Sequence, residues 1–322
     1  MLIFFLLFLA AAATTNSLFV RPEPLTPSPS PSQRPKSIFL LAGQSNMAGR
    51  GGVVNDTSTG WINKWDGVIP PECSPNPLII RLAENLTWVQ AREPLHADIG
   101  VNQTNGIGPG MAFANIVVGQ DRGLGLVGLV PCAIGGTRIS EWERGTFLYD
   151  QLMRRARAGT KDGGTIKALL WYQGESDTVE ESDAVQYKGR LEKFFTDVRT
   201  DLQSPELPIF QVAIASGLGR FTDTVRKVQL GLDLPNVRTV DAKGLPLGPD
   251  RLHLTTPAQV RLGQMLADSF LQSMARSPSP VSEALSPSLV SEASTSGPNL
   301  VIHVLAFFMW KLIRAVLMSR GD

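Results

Sequence analysis

Ser37-Ile38-Phe39-Leu40-Leu41-Ala42-Gly43-Gln44-Ser45-Asn46-Met47-Ala48-Gly49 is an apolar run that stops at a glycine and is followed almost at once by a serine between two amides. A short, unbroken apolar run bounded by glycine reads as a strand buried on both faces. Open α/β sheets place their ligands just beyond the carboxyl ends of such strands. Ser45, flanked by Gln44 and Asn46, therefore stands where a sheet of this kind would carry a nucleophile.

Four more apolar runs follow, at 124–131, 166–172, 208–215 and 237–241. Between and after them lie helical patterns at 111–120, 148–158, 184–202, 222–232 and 257–274. In the third, Tyr187, Leu191, Phe194, Phe195 and Val198 recur at helical spacing. The last opens on Thr256-Pro257-Ala258-Gln259, which reads as a capping threonine, a proline in the first turn and a glutamine closing a capping box. Near-continuous apolar strands alternating with helices call for a parallel sheet covered on both faces. The expected fold is a three-layer α/β/α sandwich with a central parallel five-stranded sheet, flavodoxin-like. Residues 49–110 carry little helix or strand signal and are too many for a simple connection, so they are expected to be functional or strapped to the surface.

The ends differ from this centre. Residues 1–13 are almost wholly apolar and close on Ala11-Ala12-Ala13, the pattern of a secretory signal lacking its basic start, and a signal peptide is expected over 1–20. An uncleaved anchor is the alternative, but the run falls short of the about 20 apolar residues that span a bilayer. Residues 21–35 alternate proline with small polar residues and read as a stiff linker, and 277–298 form a second Ser/Pro-rich linker. The catalytic domain is thus expected at 36–276, with an apolar tail at 299–322. Three readings of the tail stand open: an anchor whose cations Lys311 and Arg314 snorkel, an interfacial helix, and a glycolipid-anchor signal that those cations oppose.

The chain of 322 residues has a formal net charge of +1 and no basic run, so nucleic-acid binding has no electrostatic footprint. Its two cysteines, Cys73 and Cys132, allow one disulfide in a secreted chain, although Cys132 also reads as a small buried apolar residue. Asn55-Asp56-Thr57, Asn85-Leu86-Thr87 and Asn102-Gln103-Thr104 fit the N-glycosylation acceptor pattern and favour a secretory route.

A serine needs a base to act as a nucleophile at neutral pH. The chain has three histidines: His303 in the tail, His96 in the irregular stretch, and His253 between the fifth strand and the last helix. His253 falls at the same sheet edge as Ser45, and Asp250 precedes it by three residues. In one turn that spacing lets a carboxylate take a ring N–H and leaves the other ring nitrogen to receive the serine proton. Read alone, the pair could equally be a turn cap and a loop histidine. Acyl transfer also needs donors for an oxyanion. Candidates are the Ser45 N–H, the backbone of Gly135-Gly136 after the second strand, and the Gln173 amide after the third, in Trp171-Tyr172-Gln173-Gly174-Glu175-Ser176-Asp177. Glu175 is expected to order this loop by accepting backbone hydrogen bonds, and Asp177 to cap the following turn. The same two acids raise glycoside hydrolysis, but acids two apart on a loop point different ways and no second acidic cluster exists. The Gly-x-Ser-x-Gly elbow fails because Met47 replaces its second glycine, the phosphate loop fails at Ala48 and Arg50, and no zinc motif is present.

Four blocks, Gly43-Gln44-Ser45-Asn46-Met47, Gly135-Gly136-Thr137, Trp171-Tyr172-Gln173-Gly174-Glu175-Ser176-Asp177 and Asp250-Arg251-Leu252-His253, appear in order. Over about 37–271 the chain resembles the SGNH-hydrolase superfamily, and most closely its plant carbohydrate esterase family 6 branch, related to sialate O-acetylesterases. The resemblance implies a serine esterase with nucleophile Ser45, base His253 and orienting Asp250. It implies an oxyanion hole from the Ser45 N–H, a glycine of Gly135-Gly136 and Gln173, where the wider superfamily has asparagine. Gln44, Asn46 and Glu175 support the site. The expected activity is removal of O-acetyl or other short acyl groups from a plant polysaccharide or acylated sugar. It needs no metal or cofactor and is expected in a secreted monomer of the cell wall, with membrane contact through the tail left open. The rival reading is a retired hydrolase that binds glycans through exposed Trp61, Trp65 and Trp142, each of which also fits ordinary core packing.

Overall fold

The strand that follows Lys36 spans Ser37–Gly43 (β1), and every residue of it is buried. In the computed structural model, which describes residues 37–56 and 62–276, β1 is the middle of a seven-stranded sheet. Its neighbours are Val127–Pro131 (β6) on one side and Thr165–Tyr172 (β7) on the other, both parallel to it. Ile209–Ala213 (β8) and Val237–Asp241 (β9) continue the sheet beyond β7, again in parallel. These five are the strands expected from the apolar runs, in the flavodoxin-like order β6-β1-β7-β8-β9.

The sheet is larger than expected. Ile79–Leu82 (β4) pairs in parallel with β6, and Trp88–Gln90 (β5) pairs antiparallel with β4 and forms the edge. The stretch 49–110 therefore carries strands after all, including a separate hairpin of Val53–Asp56 (β2) and Ile62–Trp65 (β3). Each has four residues or fewer, too few to show a period.

Helices cover both faces. Gly110–Gln120 (α2) and Thr256–Arg276 (α6) pack on each other over one face, where Phe39, Phe113, Phe210 and Phe270 meet edge to face. Phe147–Thr160 (α3), Glu181–Asp201 (α4) and Thr222–Leu230 (α5) cover the other, around Trp142, Trp171, Phe194 and Phe195. The start of α6 differs from the capping box read in the sequence. Thr255, not Thr256, offers its hydroxyl to the Ala258 N–H at 3.4 Å, and Gln259 is fully buried beneath the Ser45 turn. Both cysteines are free and buried, with no bridge between them. Among the described residues no helix is long and apolar enough to cross a membrane. The expectations for the signal peptide, both linkers, the tail, His303 and Trp61 fall outside the described residues.

Candidate active site

Beyond Gly43 the chain turns sharply into one helical turn, Ser45–Ala48 (α1), whose four residues are buried. Gly43 lies at φ 124, and a Cβ there would fall 2.6 Å from the Tyr172 carbonyl carbon. Only glycine lets β1 run so close to β7 at this point. The turn sets Ser45 Oγ at the sheet edge, 2.8 Å from His253 Nε2. His253 Nδ1 is 2.6 Å from Asp250 Oδ2, and the other oxygen of Asp250 accepts the Leu252 and His253 backbone N–H groups at 3.0 Å each.

His253 belongs to a loop that starts three strands away from β1, so its arrival has to be enforced. Gly248 N–H donates to the His253 carbonyl at 2.7 Å, and Arg251 takes the left-handed region at φ 56 to close the turn. Ser216 Oγ holds the Leu252 carbonyl at 2.6 Å. Asn46 ties this loop to the serine turn: its Oδ1 accepts the Leu254 N–H at 3.0 Å and its Nδ2 donates to Glu175 Oε1 at 2.8 Å. Gln259 Nε2 donates to the Asn46 carbonyl at 3.1 Å from below.

Burial shapes the charges. Removal from water lowers the His253 pKa, the nearby Arg50 cation lowers it further, and Asp250 opposes both. The imidazole is thus neutral and able to accept a proton near neutral pH. For Asp250, desolvation acts upward but is outweighed by the two N–H groups and the His253 ring, which hold its carboxyl below the ordinary range. Glu175 is fully buried, which pushes its pKa up to about 7 against the Asn46 hydrogen bond.

The structure gives the neighbouring residues partners that the sequence did not show. Gln173 is fully buried rather than facing the cleft, and its Nε2 is spent on the Thr137 carbonyl at 2.9 Å, Asp177 Oδ2 at 2.5 Å and Gln44 Oε1 at 3.2 Å. It holds the glycine loop from the core side. Glu175 accepts the Asn46 amide across the site, in addition to a backbone N–H of its own loop. Asp177 accepts the distant Ile139 N–H at 3.1 Å, so it joins two loops and does not cap a turn. Gln44 uses its side-chain oxygen to accept the Gly174 and Ser176 N–H groups at 3.3 and 3.5 Å.

Gly136 borders the cleft, at φ 77. Among the described residues no acceptor takes the backbone N–H of Ser45 or of Gly136. His96 is elsewhere: it is buried, and desolvation beside Arg155 pulls its pKa down to about 3. Trp142 is fully buried and Trp65 is packed against the core, so neither is an exposed sugar platform. No group of three or more His, Cys, Asp or Glu among the described residues is arranged to hold a metal ion.

The cleft itself has a volume of about 530 Å³ and is lined by Gln44, Ser45, Gly136, Leu218, Leu252 and His253 together with a polar wall of Arg50, Asn63, Asn102, Gln103 and Thr104. The polar wall escaped the sequence reading. Its sequence signals were Arg50, a cation five residues after the serine, and the polar tripeptide Asn102-Gln103-Thr104, which reads as a glycosylation acceptor.

The sequence profile of the family described as carbohydrate esterase, sialic acid-specific acetylesterase matches residues 35–272. A protein of Arabidopsis thaliana named as a probable carbohydrate esterase is 53% identical over 253 residues, 78% of this chain and 94% of that protein. An X-ray structure of an Arabidopsis thaliana protein, also 53% identical, superposes with a TM-score of 0.72 over 74% of this chain and 98% of that one. The crystal structure of NanS shares the fold at 16% identity, with a TM-score of 0.59 over 75% of this chain and 99% of that one. With a serine, a histidine and an aspartate joined by hydrogen bonds beside the cleft, and with the family match spanning residues 35–272, the chain belongs to the carbohydrate esterase family of sialic acid-specific acetylesterases and is a carboxylic ester hydrolase.

Proposed function

We propose that this protein removes O-acetyl groups from an acetylated sugar or plant polysaccharide through a Ser45-His253-Asp250 triad, as a member of the plant family 6 branch of carbohydrate esterases. Ser45 Oγ attacks the ester carbonyl carbon while His253 Nε2 takes the hydroxyl proton. Asp250 keeps the imidazole in the tautomer that leaves Nε2 free and steadies the imidazolium. The oxyanion is received by the N–H groups of Ser45 and Gly136. His253 then protonates the departing sugar oxygen, leaving an acetyl group on Ser45. A water activated by His253 releases acetate and restores the serine.

The observation that carries this reading is the chain of contacts at 2.8 and 2.6 Å through the two ring nitrogens of His253. A cleft of about 530 Å³ with an amide-rich wall suits a sugar ring beside an acetyl group. The apolar start and the acceptor tripeptides support a secreted, wall-located enzyme, and N-terminal sequencing of exported protein checks that. For the chemistry, the full chain is assayed on a chromogenic acetyl ester and on acetylated polysaccharides. Ser45→Ala and His253→Ala should each lose about three orders of magnitude or more in kcat. Wild-type turnover no faster than Ser45→Ala would end the proposal.

A further inference from the structure

Gly135 and Gly136 are both glycines, but for different reasons. Gly136 takes the left-handed region at φ 77, where a side chain is strained. Gly135 does not, so its backbone would tolerate any residue. A Cβ at 135 would meet the ends of two side chains of the polar wall, Gln103 Oε1 and, at 2.9 Å, Arg50 Nη2, which would have to move aside. That wall is also bonded to this position. Gln103 Nε2 donates to the Gly135 carbonyl at 2.9 Å. Gln103 Oε1 accepts from Arg50 Nη2, and Arg50 Nη1 donates to the Thr104 carbonyl. Asn105 roots the segment in the core through hydrogen bonds to the His96 and Ile99 carbonyls at 2.8 and 3.2 Å.

A trans peptide is planar, with its C=O and N–H pointing in opposite directions. Pinning the Gly135 carbonyl therefore fixes where the Gly136 N–H points. We propose that Gln103, held by Arg50, is a positioning residue for the oxyanion hole: it clamps the Gly135–Gly136 peptide from the solvent side while Gln173 clamps the Thr137 carbonyl from the core side. The proposal rests on the esterase reading, in which the Gly136 N–H receives the oxyanion. Gln103 also lines the cleft, but its proposed effect on the reaction is exerted through that peptide.

The test uses full-length Gln103→Met and Gln103→Glu. The first removes donor and acceptor at nearly the same size. The second keeps an acceptor for Arg50 but has no N–H for Gly135, and it guards against misfolding of the apolar variant. Both should lose on the order of ten- to a hundred-fold in kcat on a chromogenic acetyl ester, the scale at which small misplacements act. KM should stay within about twofold, and the affinity of an alkyl boronic acid, which forms a tetrahedral adduct on the serine, should fall in parallel with kcat. For Gln103→Met the acid limb of the pH–rate profile and the melting temperature should stay in place, which a general loosening of the fold would not allow. Wild-type kcat in both variants, or a kcat loss with unchanged boronate affinity, would overturn the assignment. If the wild-type protein neither hydrolyses the ester nor is labelled at Ser45 by a fluorophosphonate, the esterase reading itself has failed. If it does both and the variants match it, only the role of Gln103 has failed.

Discussion

Asn46 shows how one side chain can hold a site assembled from three parts of a chain. Its amide bonds Glu175, its oxygen bonds the residue after His253, and its carbonyl is held by Gln259. Asn46→Ala leaves the Glu175 carboxyl and the Leu254 N–H without their partners in a dry place, so a stability loss of about 1–3 kcal/mol is expected in urea titration. With the His253 loop loosened, kcat should fall at least tenfold in the same preparation. His253 also carries a pH prediction. In the proposed mechanism the ring must be neutral, and burial together with Arg50 lowers its pKa, so the acid limb of kcat/KM should lie below the ordinary histidine value of about 6.5. Arg50→Met removes a cation that disfavours imidazolium, and the limb should move to higher pH. A limb that stays put would show that the Arg50 charge does not reach the ring.

Among the elements, the junction of β1 with its neighbour β7 is the most demanding. Gly43 ends β1 with its Cα against the Tyr172 carbonyl, and Gln44 N–H donates to that same carbonyl at 2.8 Å. An alanine there meets backbone, which cannot step aside, and also has to adopt φ 124. Gly43→Ala should cost well over 1 kcal/mol in denaturant stability, and it should displace Ser45, so that activity falls even where the protein remains folded. By contrast α6 and α2 meet through interlocking aromatic edges away from the cleft, and conservative changes among Phe39, Phe113 and Phe270 should alter stability with little effect on kcat.

For the whole molecule, three acids removed from water set a pH dependence of stability. Burial raises Glu93 to about 8, Glu175 to about 7 and Asp177 to about 6. A raised carboxyl pKa means that the folded state binds more protons than the unfolded chain, so stability falls as pH rises through the interval between the two values. His96, pulled down to about 3, acts in the opposite sense, but only below its unfolded value near 6.5. Between about pH 7 and 8 the histidine contribution is small and fading while Glu93 still titrates. Urea midpoints should therefore decline across that window, and Glu93→Gln should flatten the decline. A flat wild-type profile would mean that these carboxyls ionise in the fold without penalty.

Much of this was readable from local pattern. Ile38 to Ala42 is apolar without interruption because β1 is buried on both faces, and that alone set Ser45 at a strand end. Asp250 and His253 are three apart because one turn brings carboxylate and ring together, a local constraint that spacing records. The two short strands β4 and β5 escaped because Arg81 interrupts the first and the second has three residues, so neither shows a period. Gln173, Gln259 and Gln103 have the same side chain and three different jobs. One holds a loop from the core, one supports the serine turn from below, and one presses on a glycine from the cleft wall. The sequence by itself determined the layered fold, the strand that carries the serine and the acid–base pair, since these depend on hydrophobic period and short-range spacing. Only the tertiary structure decided which amides face the cleft, because a polar side chain takes its partner from whatever segment the fold brings within about 3 Å.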